Sequence, residues 1–132
     1  MWEGCGVTRD RDGLLRAREQ IEDLARAAGD ISIPGPREAN YAWQEALDLS
    51  NQLTVARAMV ESALIREESR GSHYRSDFPD QDDDNWLRFV VTRSREHGGV
   101  EANLRSVELS HRSPRRTDPP AEELERVRET KD

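Results

Sequence analysis

The chain has 132 residues, enough for one domain with a single modest core. Hydrophobic residues make up 34% and charged residues 36%, so the core is expected to be thin and to lean on a larger partner, without reaching the composition of a disordered chain. A formal net charge of −7 argues against a nucleic-acid binder, which needs basic surface to displace counterions, and against docking on anionic lipid.

No run approaches the ~20 apolar residues of a membrane span. The N-terminus shows no basic region leading an apolar stretch, so no signal peptide is visible. The single cysteine, Cys5, cannot close an internal disulfide and has no metal-ligand pattern around it, which fits a reducing cytoplasm.

The first amphipathic stretch is expected to run as a helix from Arg11 or Gly13 to Ala28. Leu14, Leu15, Ala17, Ile21, Leu24, Ala25 and Ala28 recur at the helical period. Thr8, Asp10 and Asp12 are candidate N-caps, and Gly29 is a natural stop. Pro34-Gly35-Pro36 then forces a loop over residues 30–37.

A second helical region is expected from Glu38 to Glu68. Ala39, Trp43, Ala46 and Leu47 form its first apolar face, and Leu53, Ala56, Val60, Ala63 and Leu64 the later one. Asp48, Ser50 and Asn51 interrupt the middle, and Ser50 is a possible new N-cap. One kinked helix and two helices in close succession both fit, and the reading leans to two. Gly71 ends the region, and Pro79 with Asp80–Asp84 makes an acidic turn before Asn85-Trp86-Leu87.

Residues 88–94 and 100–109 alternate, with β-branched residues concentrated in the first run. Glu96-His97-Gly98-Gly99 between them supplies turn chemistry, predicting a two-stranded hairpin. A lone hairpin is marginal in water, so it is expected to pack on the helices or on other sequence. The fold class is therefore mainly α: a small bundle of about three helices, then a β-hairpin, spanning residues 1–110. Residues 111–132, with Pro114, Pro119, Pro120 and six charges of each sign, read as a mobile tail.

Reactive chemistry is hard to place on this chain. Setting Asp80, Asp82 and Asp84 at the first three positions of a calcium loop puts Asn85 where glycine belongs. It also puts Val91 where the bidentate glutamate belongs, so the acidic run reads as a capped, solvated turn. His73 would need a partner at hydrogen-bond distance to act as an acid or base, and a structural role is favoured. His97 and His111 form no zinc-spaced pair. Ser69 and Ser72 flank Gly71 without the strand–turn–helix context of a nucleophile elbow. Gly4-Cys5-Gly6 lacks the third glycine of a phosphate loop. No catalytic, cofactor-binding or metal-binding residue is assigned, and the residues alone describe a small helical support or interaction module.

One run carries more. Arg66, Glu68, Ser69, Arg70, Gly71, His73, Arg75, Asp77, Phe78 and Pro79, followed by Asp82, Asp83, Asn85, Trp86 and Leu87, resemble the C-terminal helical domain of one flavoenzyme superfamily. It comprises the flavoprotein subunits of succinate dehydrogenase and fumarate reductase, and L-aspartate oxidase. Residues 51–57 look like the family's helix leading into the run. Met1-Trp2-Glu3-Gly4, with Gly6-Val7 and Arg9-Asp10, resembles the end of the domain's first helix and its turn. Three positions depart from the pattern: Glu67 stands for a basic residue, Ser72 for alanine, and Gln81 for arginine.

The resemblance implies a parent enzyme that binds FAD and passes a hydride between a dicarboxylate and the flavin N5. Its flavin-binding and capping domains, and the substrate-binding residues, would lie outside these positions. The partners implied are those two domains and an iron–sulfur subunit, with the parent in the cytoplasm or at the cytoplasmic face of a membrane complex. Glu68, Ser69, Arg70, Gly71, His73, Arg75 and Asp77 become interdomain contact candidates. Asp82–Leu87 and the hairpin ending Val107-Glu108-Leu109 look more like the succinate dehydrogenase and fumarate reductase branch. L-aspartate oxidase stays open as an alternative, as does a non-enzymatic acidic helical adaptor. A start at what would be mid-helix in a full-length relative points to a fragment, a split gene or an excised domain.

Overall fold

A computed structural model describes residues 2–96 and 99–108. In chain order the elements are α1 (Trp2–Cys5), β1 (Thr8–Arg9), α2 (Arg11–Gly29), α3 (Tyr41–Ile65), β2 (Tyr74–Arg75), α4 (Asp83–Trp86), β3 (Arg88–Ser94) and β4 (Val100–Ser106). The fold is mainly α with one hairpin, as expected. The expected tail, with His111, and the turn residues His97 and Gly98 lie outside the described residues.

Of the three candidate caps for α2, Asp10 serves: its carboxylate accepts from the Gly13 N–H at 2.6 Å. This satisfies one of the orphan donors of the first turn. The helix runs through Gly29 to a cap at Asp30. Asn40 closes the proline loop and opens the next helix at once. Its Nδ2 donates to the carbonyls of Pro34 (3.1 Å) and Pro36 (3.0 Å), and its Oδ1 accepts from the Trp43 N–H at 3.3 Å. That cap, preceded by Ala39 at φ +52°, sets the start at Tyr41 rather than Glu38.

The lean towards two helices is overturned: α3 is one helix of 25 residues. Asp48, Ser50 and Asn51 all lie on its exposed face. The Ser50 carbonyl accepts from Thr54 Oγ1 at 3.0 Å, so this serine lies within the helix and does not start a new one. Leu49 and Leu53 on the opposite face pack into the core. Burial on one side thus outweighs weak local propensity on the other.

The core is as thin as the composition implies. Cys5, Leu14, Ala17, Ile21, Leu53, Val60 and Ala63 are buried, and Ala25, Ala28, Ala56 and Leu64 pack against them. Small side chains let the helices approach closely, and α1 meets α2 at Gly4. A Cβ on Gly4 would stand 2.8 Å from both the Gly13 carbonyl oxygen and the Ala17 Cβ. One of these is backbone and cannot turn away. Gly4→Ala is expected to cost about 1–3 kcal/mol by overpacking, read from urea unfolding followed by circular dichroism; an unchanged midpoint would contradict this crossing.

The hairpin pairs Arg88 with Ser106 through to Ser94 with Val100 in antiparallel register, and both strands pack on α3. The second strand ends at Ser106, with Val107 and Glu108 beyond it; Leu109, its expected end, lies outside the described residues. The acidic turn is α4, capped by Asp82, whose carboxylate accepts from the Asn85 N–H at 3.0 Å. Sequence reading missed one feature: β1 and β2 form a short parallel pair, Thr8 beside Tyr74 and Arg9 beside Arg75. It ties the N-terminal segment to the Arg66–Pro79 loop.

Candidate functional site

The loop after α3 is built on two buried charges. Arg75 is fully buried and Glu68 almost so, which for ionised groups requires partners on every side. Arg75 has them. Its Nη1 donates to the carbonyls of Ala63 (2.7 Å) and Arg66 (3.0 Å), taking up orphan acceptors at the end of α3 where the helix dipole favours a cation. Its Nε and Nη2 form a fork on Asp77 at 2.7 and 2.6 Å. The Phe78 ring centroid lies 5.0 Å from its guanidinium.

Glu68 is the complementary hub. It accepts from Arg66, from Arg70 through two nitrogens at 2.8 and 3.0 Å, and from the Asp82 N–H at 2.9 Å. Burial by itself raises the carboxyl pKa. The bonds from Arg70, Asp82 and Arg66 outweigh it and hold Glu68 below its ordinary value. Arg70 also reaches Asp83 at 2.6 Å, and these carboxylates, Glu68 first, raise its pKa. Arg66 continues to the carbonyls of Trp86 (3.1 Å) and Arg88 (2.7 Å). One carboxylate therefore fastens the end of α3 to α4 and to the start of the hairpin.

The remaining candidates shape the backbone. The Ser69 hydroxyl donates to the Phe78 carbonyl at 2.8 Å and accepts from the Arg75 N–H at 2.9 Å. Gly71 sits at φ +58° in a tight turn in which Arg70 and His73 exchange backbone bonds of 2.8 and 3.0 Å. A side chain disfavours that left-handed conformation even where space is open. Asp77 accepts from the Arg11 N–H at 3.0 Å as well as from Arg75. Arg75 chiefly, and that N–H, pull its pKa down to about 2.

His73 is turned towards the N-terminal segment. Arg9 Nη1 donates to its Nδ1 at 2.6 Å, because a guanidinium has no acceptor. The ring proton therefore sits on Nε2, which is buried without a hydrogen-bond partner among the described residues. Burial, then the cation of Arg9, push the His73 pKa below 6.5. Nothing in the sequence marked Arg9 as its partner, 64 residues away.

The sign of the pH dependence follows. A histidine with a depressed folded pKa is fully stabilising above 6.5, and that contribution is lost as pH falls through 6.5 towards the folded value. Asp77 acts in a second window, losing its contribution as pH falls from 3.8 to about 2. Chemical unfolding between pH 8 and pH 5 is expected to show the native chain weakening more than His73→Gln; parallel curves would remove His73 as the cause.

Two departures from the family pattern have local roles. Glu67 pairs with Arg11 at 3.9 Å on the surface, and Gln81 Nε2 donates to Asp83 at 3.0 Å. The loop thus brings all seven contact candidates together, but chiefly to bind one another. Glu68 and Arg75 face the chain's own interior, while parts of Arg70 and His73, and Gly71, remain at the surface. Among the described residues no cluster of three or more metal-binding side chains occurs, and no helix is long and apolar enough to cross a membrane.

Residues 1–122 match the family described as "Fumarate reductase flavoprotein C-term". A fumarate reductase (CoM/CoB) protein of Methanothermobacter marburgensis is 42% identical over 91 residues, covering 69% of this chain and 16% of that protein. The L-aspartate oxidase of Streptomyces coelicolor is 41% identical over 100 residues, covering 70% and 16%. Among solved structures, Mycobacterium smegmatis Sdh1 in complex with UQ1 superposes with a TM-score of 0.73 at 28% identity, over 81% of this chain and 18% of that one. The chain thus spans less than one fifth of the length of each of these relatives.

Proposed function

This chain belongs to the fumarate reductase flavoprotein C-terminal family, and from that premise we propose that it is the helical support domain of an FAD-dependent oxidoreductase acting on dicarboxylates. The observation that carries the reading is the saturated loop. Glu68 and Arg75 direct their charge inward to hold α3, α4 and the hairpin in one shape, and Asp77 is taken up by Arg75 and the Arg11 N–H, so none is left to act on a substrate.

The described residues do not fit FAD. Gly4 is packed against Ala17 and the Gly13 carbonyl, and no glycine-rich phosphate loop opens a helix. The hydride step belongs to the flavin-binding and capping parts of the flavoprotein, on which this domain packs. Arg70, Gly71, His73 and Asp77 are the contact candidates with surface to offer. Ser69 acts by shaping their turn, and Glu68 and Arg75 by bracing it from within. A cytoplasmic location, at the face of a membrane complex with an iron–sulfur subunit, belongs to the same proposal.

A second reading, the same domain of an L-aspartate oxidase, is supported by the 41% identity to the Streptomyces enzyme. The adaptor reading is weaker. Val55, Met59 and Phe89 are each about half exposed, as in a domain that another surface covers.

Replacing the matched segment of each relative by this chain tests the assignment. A chimera with the Methanothermobacter fumarate reductase that keeps its flavin and oxidises a reduced viologen with fumarate supports the first reading. Recovery of L-aspartate oxidation only, in the Streptomyces host, supports the second. Loss of flavin in both hosts contradicts either. The chain by itself is expected to carry no flavin absorbance, and stoichiometric bound flavin would overturn the support role.

A further inference from the structure

An open groove of about 560 Å³ runs beside α3, walled by Cys5, Arg9, Val55, Met59, His73 and Val90. Five separate parts of the chain build it: α1, β1, α3, the loop and the hairpin. Resting on the function proposed above, we propose that this groove seats an acidic, apolar-flanked segment of the flavin-binding part of the same flavoprotein.

Three observations bear on the occupant. Val55 and Met59 stand one helical turn apart on the groove side of α3, and are 58% and 47% exposed. On a chain with so few buried apolar residues, that surface is costly to leave in water. The groove wall is cationic although the whole chain carries −7. Arg66 is neutralised by Glu68, but among the described residues the Arg9 guanidinium bonds the Gly6 carbonyl and the His73 ring and pairs with no carboxylate. A carboxylate on the occupant completes Arg9, and apolar neighbours on that segment cover Val55 and Met59. Finally, the relatives are at least five times longer than the segment matched here, so the covering surface has a source within one polypeptide.

Met59 is the only methionine besides Met1, which gives a direct probe. Peroxide oxidation of Met59, followed by mass spectrometry, is compared in the isolated chain and in the flavin-loaded chimera. Oxidation follows exposure, so seating is expected to slow it about tenfold. Val55→Asp is expected to leave the melting of the isolated chain unchanged, since Val55 is exposed, yet to restore fast Met59 oxidation in the chimera. Arg9→Gln is expected to raise Met59 oxidation in the chimera as well.

A chimera that holds flavin but oxidises Met59 at the isolated-chain rate overturns the groove assignment and leaves the proposed function standing. A chimera without flavin overturns both. Concentration-dependent protection of Met59 in the isolated chain assigns the groove to a second copy and overturns the proposal.

Discussion

Arg75→Met is expected to be the most damaging single change in this chain, lowering stability by about 3–5 kcal/mol. The methionine keeps most of the buried stem's volume, so the loss isolates the guanidinium. Two carbonyls at the end of α3, those of Ala63 and Arg66, lose their donor inside the fold. Each unsatisfied buried acceptor costs about 1–3 kcal/mol. Asp77 contributes less to the penalty, because its carboxylate is partly exposed and water can replace the fork. Arg75→Lys is expected to recover only part of the loss, since one ammonium cannot span two carbonyls and a bidentate carboxylate. Urea unfolding followed by circular dichroism reads both variants. A change under about 1 kcal/mol for Arg75→Met would show that the guanidinium does not hold the end of α3.

Glu68→Gln is the second large effect, expected at about 2–4 kcal/mol. The substitution preserves shape and removes the charge that Arg66 and Arg70 share. The new amide also turns a donor towards groups that can only donate. Arg66 and Arg70 would then stand close together, with Asp83 still pairing with Arg70. Because Arg66 also bonds the carbonyls of Trp86 and Arg88, the disturbance is expected to spread to α4 and the hairpin. Faster amide exchange at residues 82–90, with α2 unaffected, is the distinguishing result. A double-mutant cycle with Arg70→Gln is expected to give coupling of about 1–3 kcal/mol. Additive effects would mean that Glu68 is held by Asp82 and Arg66 alone.

These effects bear on function through shape. In the proposed support role, a loop whose charges are satisfied from within would present a fixed surface, formed by Gly71, the outer side of Arg70 and the His73 ring, to the part that packs on it. A preformed surface loses little conformational entropy on docking. The density of charged and polar residues in the run therefore does not require a reaction at any of them. It requires that a short loop, with two buried charges, fold in one way.

The positions of α2, α3 and the hairpin were legible because their signals are local. A 3.6-residue apolar stripe, a cap such as Asp10 and alternating strands on either side of a glycine turn each lie within one stretch of chain. The Arg66–Leu87 run pointed to the family by its residues alone, and the 1–122 match agrees. Periodicity places Leu24 and Leu47 on apolar faces, yet they are exposed, because two long helices among the described residues cannot cover a wide stripe on each.

Local pattern in the chain is thus enough to place the two long helical stretches and the hairpin, and the residues of the Arg66–Leu87 run to point to the family. Packing was needed to establish that α3 runs unbroken through Asp48–Asn51, since Leu53 is buried in the core and Leu49 packs against it. Packing also turns Arg75 and Glu68 inward and gives His73 its partner, Arg9. Those outcomes depend on contacts between residues far apart in the chain, where low dielectric and lost water make each partner count. No local pattern of residues encodes that setting.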